Sequence, residues 1–161
     1  MEKKSVNDLV FMEAAIARAR EGIACGQTPF GACIVKKGKV ISCEHNRVWK
    51  TTDITAHAEV TAIRAACRKL ASIDLSGCSI YSTCEPCPMC FAACHWARIG
   101  RIVYGARIRD AKKYGFHELA VSNRTLTRMG RCGIDIRGGL LRGENIALFD
   151  EWARRKDKRS Y

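Results

Sequence analysis

The stretch CSIYSTCEPCPMCFAACHWARIGRIVYGA, residues 78–106, reads as strand, helix, strand. Cys78–Thr83 and Arg101–Gly105 are short runs carrying β-branched and aromatic residues, the composition of strands. Cys87–Arg98 between them has helical length and is opened by Pro86, at an early helix position where a missing N–H costs little. With hairpin strands upstream, this strand–helix alternation implies a mixed sheet with helices on both faces.

The rest of the chain extends that sheet. Upstream, His57–Leu70 has helical spacing through Val60, Ile63, Ala66 and Cys67. Asn46–Thr55 is polar and turn-rich, hence a loop. Phe30–Lys36 and Lys39–Glu44 flank Lys37-Gly38 and predict a hairpin. Ser5 with Asp8 resembles a capping-box helix start, and Val6, Leu9, Val10, Ala14 and Ala17 then form a buried stripe running to Gly22 or Gly26. Downstream, residues 107–131 are irregular with short helical turns, too long for a plain connection and suited to a wall or lid. Ile134–Arg137 is a strand and Glu144–Lys156 a final helix. The expected fold class is α/β: a three-layer α/β/α sandwich around a five-stranded mixed sheet.

At 161 residues the chain fits one domain spanning 1–161. No apolar run reaches the roughly 18 residues of a spanning helix, and Met1-Glu2-Lys3-Lys4-Ser5 does not lead into a secretory core. The expected setting is the cytoplasm, without a membrane. Ten cysteines there do not read as a disulfide framework, and most are small buried hydrophobes. The net charge of +12 is uneven: residues 1–80 carry 12 basic and 8 acidic side chains, residues 81–161 carry 16 and 8. The densest run is Arg154-Arg155-Lys156-Asp157-Lys158-Arg159, which suits either a solvated helix end or contact with a polyanion.

Four cysteines, at 84, 87, 90 and 94, crowd into eleven residues. Cys87 and Cys90 stand three apart at a helix start, where thiolates are favoured and share a face. His57 at the start of another helix adds an imidazole. His57, Cys87 and Cys90 make a three-ligand set, which leaves tetrahedral zinc an open position, as in catalytic sites. Water held there becomes nucleophilic near neutral pH. Glu59 is the candidate proton carrier, although residues two apart on a helix do not share a face. Two other readings use the same cysteines. The run spells the C-x2-C-x2-C-x3-C of iron–sulfur proteins, but no proline follows Cys94 and no second cysteine group exists. A closed structural zinc site would recruit Cys84 or Cys94, although a chain of this length does not need zinc to fold.

His-x-Glu followed by Pro-Cys-x-x-Cys is a zinc-deaminase signature. With Phe30-Gly31-Ala32, Asn46, Ala56–Val60, Tyr81–Cys90 and Trp96-Ala97-Arg98, the chain resembles the cytidine/deoxycytidylate deaminase superfamily over roughly residues 5–155. The resemblance implies one Zn2+ per subunit, a homodimer, and hydrolytic loss of an amino group from a nucleobase ring. Thr55–Ala66, Ser82–Cys90, Gly115-Phe116-His117-Glu118 and the terminal Tyr161 look like bacterial guanine deaminases. That branch implies guanine to xanthine plus ammonia, with the C-terminal segment closing the site. Arg98–Arg107, Ile136–Leu148 and the basic last helix look like tRNA adenosine deaminases instead, which implies adenosine-to-inosine editing of tRNA. A cytosine or cytidine-type activity is a third alternative.

By the same resemblance, Glu59 is catalytic and Glu118 takes a second proton-transfer role or meets the purine edge; its plain reading is a solvated loop carboxylate. Asn46 and Ala56 fall at positions that hold the base or ribose, Asn46 alternatively serving as a turn residue. Phe30 stacks on the base or packs in the core. Trp96 is pocket wall or core. Tyr161 is a lid or a frayed end. His117 departs from the acidic residue often found there in guanine deaminases.

Overall fold

The computed structural model describes residues 6–161. In chain order it contains α1 (Val6–Ala24), β1 (Gly31–Lys36), β2 (Lys39–His45), α2 (Val48–Thr51), α3 (Ala58–Leu70), β3 (Cys78–Cys84), α4 (Pro88–Trp96), β4 (Arg101–Ala106), α5 (Ile108–Lys113), α6 (Asn123–Met129), β5 (Asp135–Gly138) and α7 (Arg142–Ala153). The strands form one sheet in the order β2-β1-β3-β4-β5. β1 is antiparallel to β2 and β3, whereas β3, β4 and β5 run parallel. The mixed five-stranded sheet expected from the sequence is therefore present.

Strand parity explains the layers. Successive side chains leave a strand on opposite faces. Cys33, Val35, Tyr81 and Val103 point to a core shared with Met12, Ile16, Phe149 and Trp152 of α1 and α7. Ala32, Ile34, Ile80 and Ile102 point to the other core, with Ile63 of α3 and Phe91 of α4. Residue 31 must be glycine because a Cβ there would run into the Ala15 carbonyl of α1. Lys37 and Gly38 both adopt positive φ, 48° and 73°, the two-residue turn that matches strand twist. Between Ile34 and Val35 the β1–β2 register shifts, leaving Ile41 as a bulge.

Several local expectations change. Pro88, not Pro86, is the first residue of α4, and Cys87 is its N-cap. Pro86 lies in the segment leaving β3, where its carbonyl accepts a hydrogen bond from Asn123 Nδ2 at 2.6 Å. Residues 107–131 hold two short helices, and the Asn46–Thr55 loop contains α2. α7 ends at Ala153, so the basic run 154–159 is not helical. Trp49 draws that run across the surface: its Nε1 donates to the Arg159 carbonyl at 3.1 Å, and the Arg159 guanidinium lies 4.4 Å from its ring centre. Ser5 lies outside the described residues. Asp8 does not cap α1. Its carboxylate accepts from Tyr81 Oη at 2.6 Å and from both Arg101 amino groups at 3.0 and 2.9 Å, tying α1 to β3 and β4.

Candidate active site

The site lies where α3 and α4 begin. His57 is the N-cap of α3 (φ −61°, ψ 158°) and Cys87 the N-cap of α4 (φ −62°, ψ 166°). Both have extended backbone, so neither side chain follows the helical angle of the residues after it. This resolves the spacing problem at His57 and Glu59. His57 leaves the chain before the helix begins, and Glu59 is free to point to the same place from inside it.

The donor atoms of His57, Cys87 and Cys90 lie within 4.8 Å of one another, and among the described residues no other such group of three occurs. His57 Nδ1 stands 3.7 Å from Cys87 Sγ and 3.5 Å from Cys90 Sγ. Tetrahedral zinc with bonds of about 2.0–2.3 Å spaces its nitrogen and sulfur ligands about 3.5–3.8 Å apart. The donor set and its spacing therefore fit zinc. Cys87 is the acidic member of the thiol pair. A hydrogen bond from Cys90 draws it down to about 4, against burial and with help from His57. Cys84 and Cys94 are buried and do not join the group, although Cys84 lines a small cavity beside it, so neither the four-cysteine cluster nor a closed zinc site forms among the described residues.

Glu59 is buried, and its Oε1 accepts from Ser82 Oγ at 3.0 Å while Oε2 lies 3.5 Å from Cys90 Sγ. Burial pushes its carboxyl above the usual range, and the nearby Cys87 charge adds to this. Nothing in the sequence flagged Ser82. It reaches Glu59 only because β3 passes beneath α3, a relation that no spacing encodes.

Glu118 lines two cavities beside the ligand group. One is tiny, about 10 Å³, with Phe30, Glu59, Cys84 and Glu85 on its walls. The other, about 340 Å³, is bounded by His57, Cys87, Met89, His117, Glu118 and Tyr161, among others. Burial, then the Cys87 charge, raise the Glu118 carboxyl to about 7. Glu118 is half-buried on these walls rather than fully exposed.

Tyr161 is not frayed. Its ring centre lies 5.4 Å from that of His57, its hydroxyl accepts from Asn46 Nδ2 at 2.6 Å, and its carbonyl accepts from His117 N at 2.9 Å. Thr28 Oγ1, another residue without a sequence signal, lies 3.5 Å from the same hydroxyl. Asn46 is fully buried; its Oδ1 accepts from Val48 N at 3.0 Å, and its N–H donates to the Phe30 carbonyl at 3.0 Å. Asn46 therefore serves the turn and holds Tyr161, without lining either cavity. Phe30 packs in the core, edge-on to Phe116 and Phe149 at 5.0 and 5.6 Å, and also lines the small cavity. Ala56 is buried beside His57, and its carbonyl accepts from Arg47 N. Trp96 overturns both of its readings. It is 82% exposed at the far end of α4, touching His95, and lines neither cavity. The reason is the helical angle: Cys90 and Cys94 take the inward face, leaving Trp96 outside.

A solvent-accessible His/Cys/Cys group at two helix starts, with an unligated buried carboxylate beside it, defines a hydrolytic zinc enzyme. The chain belongs to the cytidine and deoxycytidylate deaminase family, whose zinc-binding region matches residues 5–106. It is a deaminase of that superfamily. It is 46% identical over 114 residues to a guanine deaminase of Bacillus subtilis, covering 70% of this chain and 73% of the relative. It is 44% identical over 96 residues to a tRNA-specific adenosine deaminase of Aquifex aeolicus, covering 60% and 64%. Its fold superposes on the solved guanine deaminase of Nitrosomonas europaea with a TM-score of 0.84 and 31% identity, over 91% of this chain and 85% of the other. No helix among the described residues is long and apolar enough to cross a membrane.

Proposed function

We propose that this deaminase converts guanine to xanthine and ammonia. The observation that carries this reading is a second carboxyl, Glu118, on the cavity walls shared with His57 and Cys87. Removing the guanine amino group needs two proton deliveries, one to the ring and one to the departing amine. Two carboxyls with raised affinity for protons supply both at neutral pH.

Zinc held by His57, Cys87 and Cys90 supplies Lewis-acid chemistry that makes water nucleophilic at neutral pH. Glu59 takes the proton from the attacking water and passes it to the ring nitrogen next to the amino-bearing carbon. Ser82 keeps the Glu59 carboxylate aimed during both transfers. Glu118 protonates the amine, ammonia leaves, and the added hydroxyl gives up its proton as the new carbonyl forms, a proton that restores the Glu118 acid. Phe30 offers a ring face to the base, and the Asn46 amide a hydrogen-bond donor to its polar edge once the Tyr161 hydroxyl yields it. Tyr161 then covers the site and excludes water. The cavity of about 340 Å³ suits a single base.

A second reading, tRNA adenosine-to-inosine editing, rests on a different cavity. Arg107, Arg109 and Arg124 line a cleft of about 470 Å³ that shares Glu85 with the small cavity at the ligand group. Among the described residues these three arginines form no ion pair, so they are open to phosphates.

Ammonia release from the zinc-loaded protein separates the two. The panel is guanine, guanosine, adenine, cytosine, cytidine and an anticodon stem-loop RNA, each at about 50 and about 200 mM salt, a range over which phosphate-dependent binding collapses. Guanine turnover that ignores salt is the expected result. Turnover of the RNA alone, lost steeply with salt, overturns the guanine reading in favour of the second.

A further inference from the structure

Away from the zinc ligands, β1 and β2 place two thiols face to face. Cys33 and Cys43 are direct register partners in the antiparallel pair. Directly opposed residues have Cα atoms about 4.5–5.5 Å apart. A disulfide needs about 4.4–6.8 Å. Partners in register also project to the same face, and both side chains lie under α1, in the core with Met12, Ala15 and Ile16. The register therefore places both thiols within the span that a disulfide bridges.

We propose that Cys33 and Cys43 form a reversible dithiol–disulfide site, oxidised by hydroperoxides, within the hairpin that carries Phe30 and Asn46. The two thiols have different parts. Cys33 is fully buried, whereas Cys43 is half-buried, its thiol donating to the Ala14 carbonyl of α1 at 3.5 Å. The Cys43 thiol is lowered by a hydrogen bond from Cys33, against burial, and by the Arg18 guanidinium, whose Nε donates to the Cys43 carbonyl at 2.9 Å; Glu44 and Glu21 oppose this. Cys33 is correspondingly raised. A less buried, acidified thiol opposite a fully buried partner is the arrangement of an attacking and a resolving cysteine. The other neighbouring pair lacks this asymmetry: burial raises both Cys67 and Cys78.

The Cys43 thiolate attacks one peroxide oxygen. The O–O bond breaks, the other oxygen leaves as an alcohol or water after taking a proton, and Cys43 becomes a sulfenic acid. The Cys33 sulfur then attacks the Cys43 sulfur. The S–S bond forms, the S–O bond breaks, and hydroxide leaves as water with the Cys33 proton. Two thiols lose two electrons to one peroxide, and an external thiol reverses the step. The bond would fall three residues inside Phe30 and three before Asn46, whose backbones are already joined by the Asn46 N–H to Phe30 carbonyl bond.

The test titrates the full-length zinc-loaded protein with hydrogen peroxide, then blocks free thiols and maps peptides without reduction by mass spectrometry. Cys25, exposed and without a cysteine neighbour, is the internal control. The expected product is a Cys33–Cys43 linked peptide short of two hydrogens, formed at least about tenfold faster than Cys25 oxidation. Cys33→Ser should stop Cys43 at the sulfenic acid, trapped by a 1,3-diketone label. Zinc content measured alongside shows that each variant is folded. Oxidation of Cys25 while Cys33 and Cys43 stay reduced overturns the proposal, as does a Cys33→Ser protein with no trapped sulfenate at Cys43.

Discussion

Replacing Glu59 with glutamine isolates the chemistry from the fold. Glutamine has the same length and shape, and its carbonyl oxygen keeps accepting from Ser82 Oγ, now 3.0 Å from Glu59 Oε1. What it loses is the proton-carrying group. General acid–base catalysis by one positioned side chain is worth about 10²–10⁴ in rate. That corresponds to about 3–5 kcal/mol of barrier. Glu59 is not one of the three clustered ligands, so zinc content should not change. Stability should not fall either, because glutamine removes a carboxylate whose ionisation burial already opposes. Glu59→Asp adds a geometric control. One methylene fewer withdraws the carboxylate by about 1.5 Å. A misplacement of that order costs about 10²-fold even with the acid present. Steady-state ammonia release, zinc by atomic absorption and thermal melting give the three readouts. Glu59→Gln protein that retains more than a tenth of its activity would refute the assignment, as would a matched loss of zinc and turnover.

Cys87→Ala should remove zinc and activity together and lower the melting temperature, since metal binding contributes directly to folding stability; zinc retained at one per chain contradicts the ligand set. Asn46→Ala strips a buried amide from Val48 N–H and the Tyr161 hydroxyl, at a cost of about 1–3 kcal/mol, readable as a lower denaturation midpoint. Arg101→Met should destabilise by about 1–2 kcal/mol at neutral pH, with solvent screening at the rim already discounted. Its dependence on pH has a definite sign. The Arg101 hydrogen bonds hold the Asp8 carboxyl below its ordinary value, so the pair stabilises above the unfolded Asp value of about 3.9 and fades as pH falls through the folded one. Urea titrations of both proteins should therefore differ fully at pH 7 and by less as pH is lowered below the unfolded Asp value.

Most of the architecture was legible in the chain because it depends on local periodicity. Strand composition and the Lys37-Gly38 turn marked the hairpin and the strand–helix–strand unit, and helical spacing marked α3. The α1 helix is present, but its buried face differs from the expected stripe, because Val10 and Ala17 are exposed and Met12, Ala15, Ile16 and Ala19 face the core. The other errors sit at helix ends. Pro86 and Pro88 are both plausible helix openers, and the choice between them depended on Asn123, 35 residues beyond Pro88, bonding the Pro86 carbonyl. The basic tail read as helix because its charges suit a helix end. It left the helix because Trp49 and Asn46 offer it partners that no local rule weighs.

The sequence by itself determined the ligand types, His57, Cys87 and Cys90, since metal chemistry demands those side chains at helix starts; Glu59 stood out only through the resemblance to zinc deaminases. Tertiary structure decided which cysteines were left out, because Cys84 and Cys94 share the run but point into cores on opposite faces of the sheet. It also decided that Ser82 reaches Glu59, that Tyr161 lies on His57, and that Trp96 faces water. Each of these depends on how two distant elements pack. Packing minimises exposed apolar surface over the whole molecule at once, and no window of neighbouring residues contains that sum.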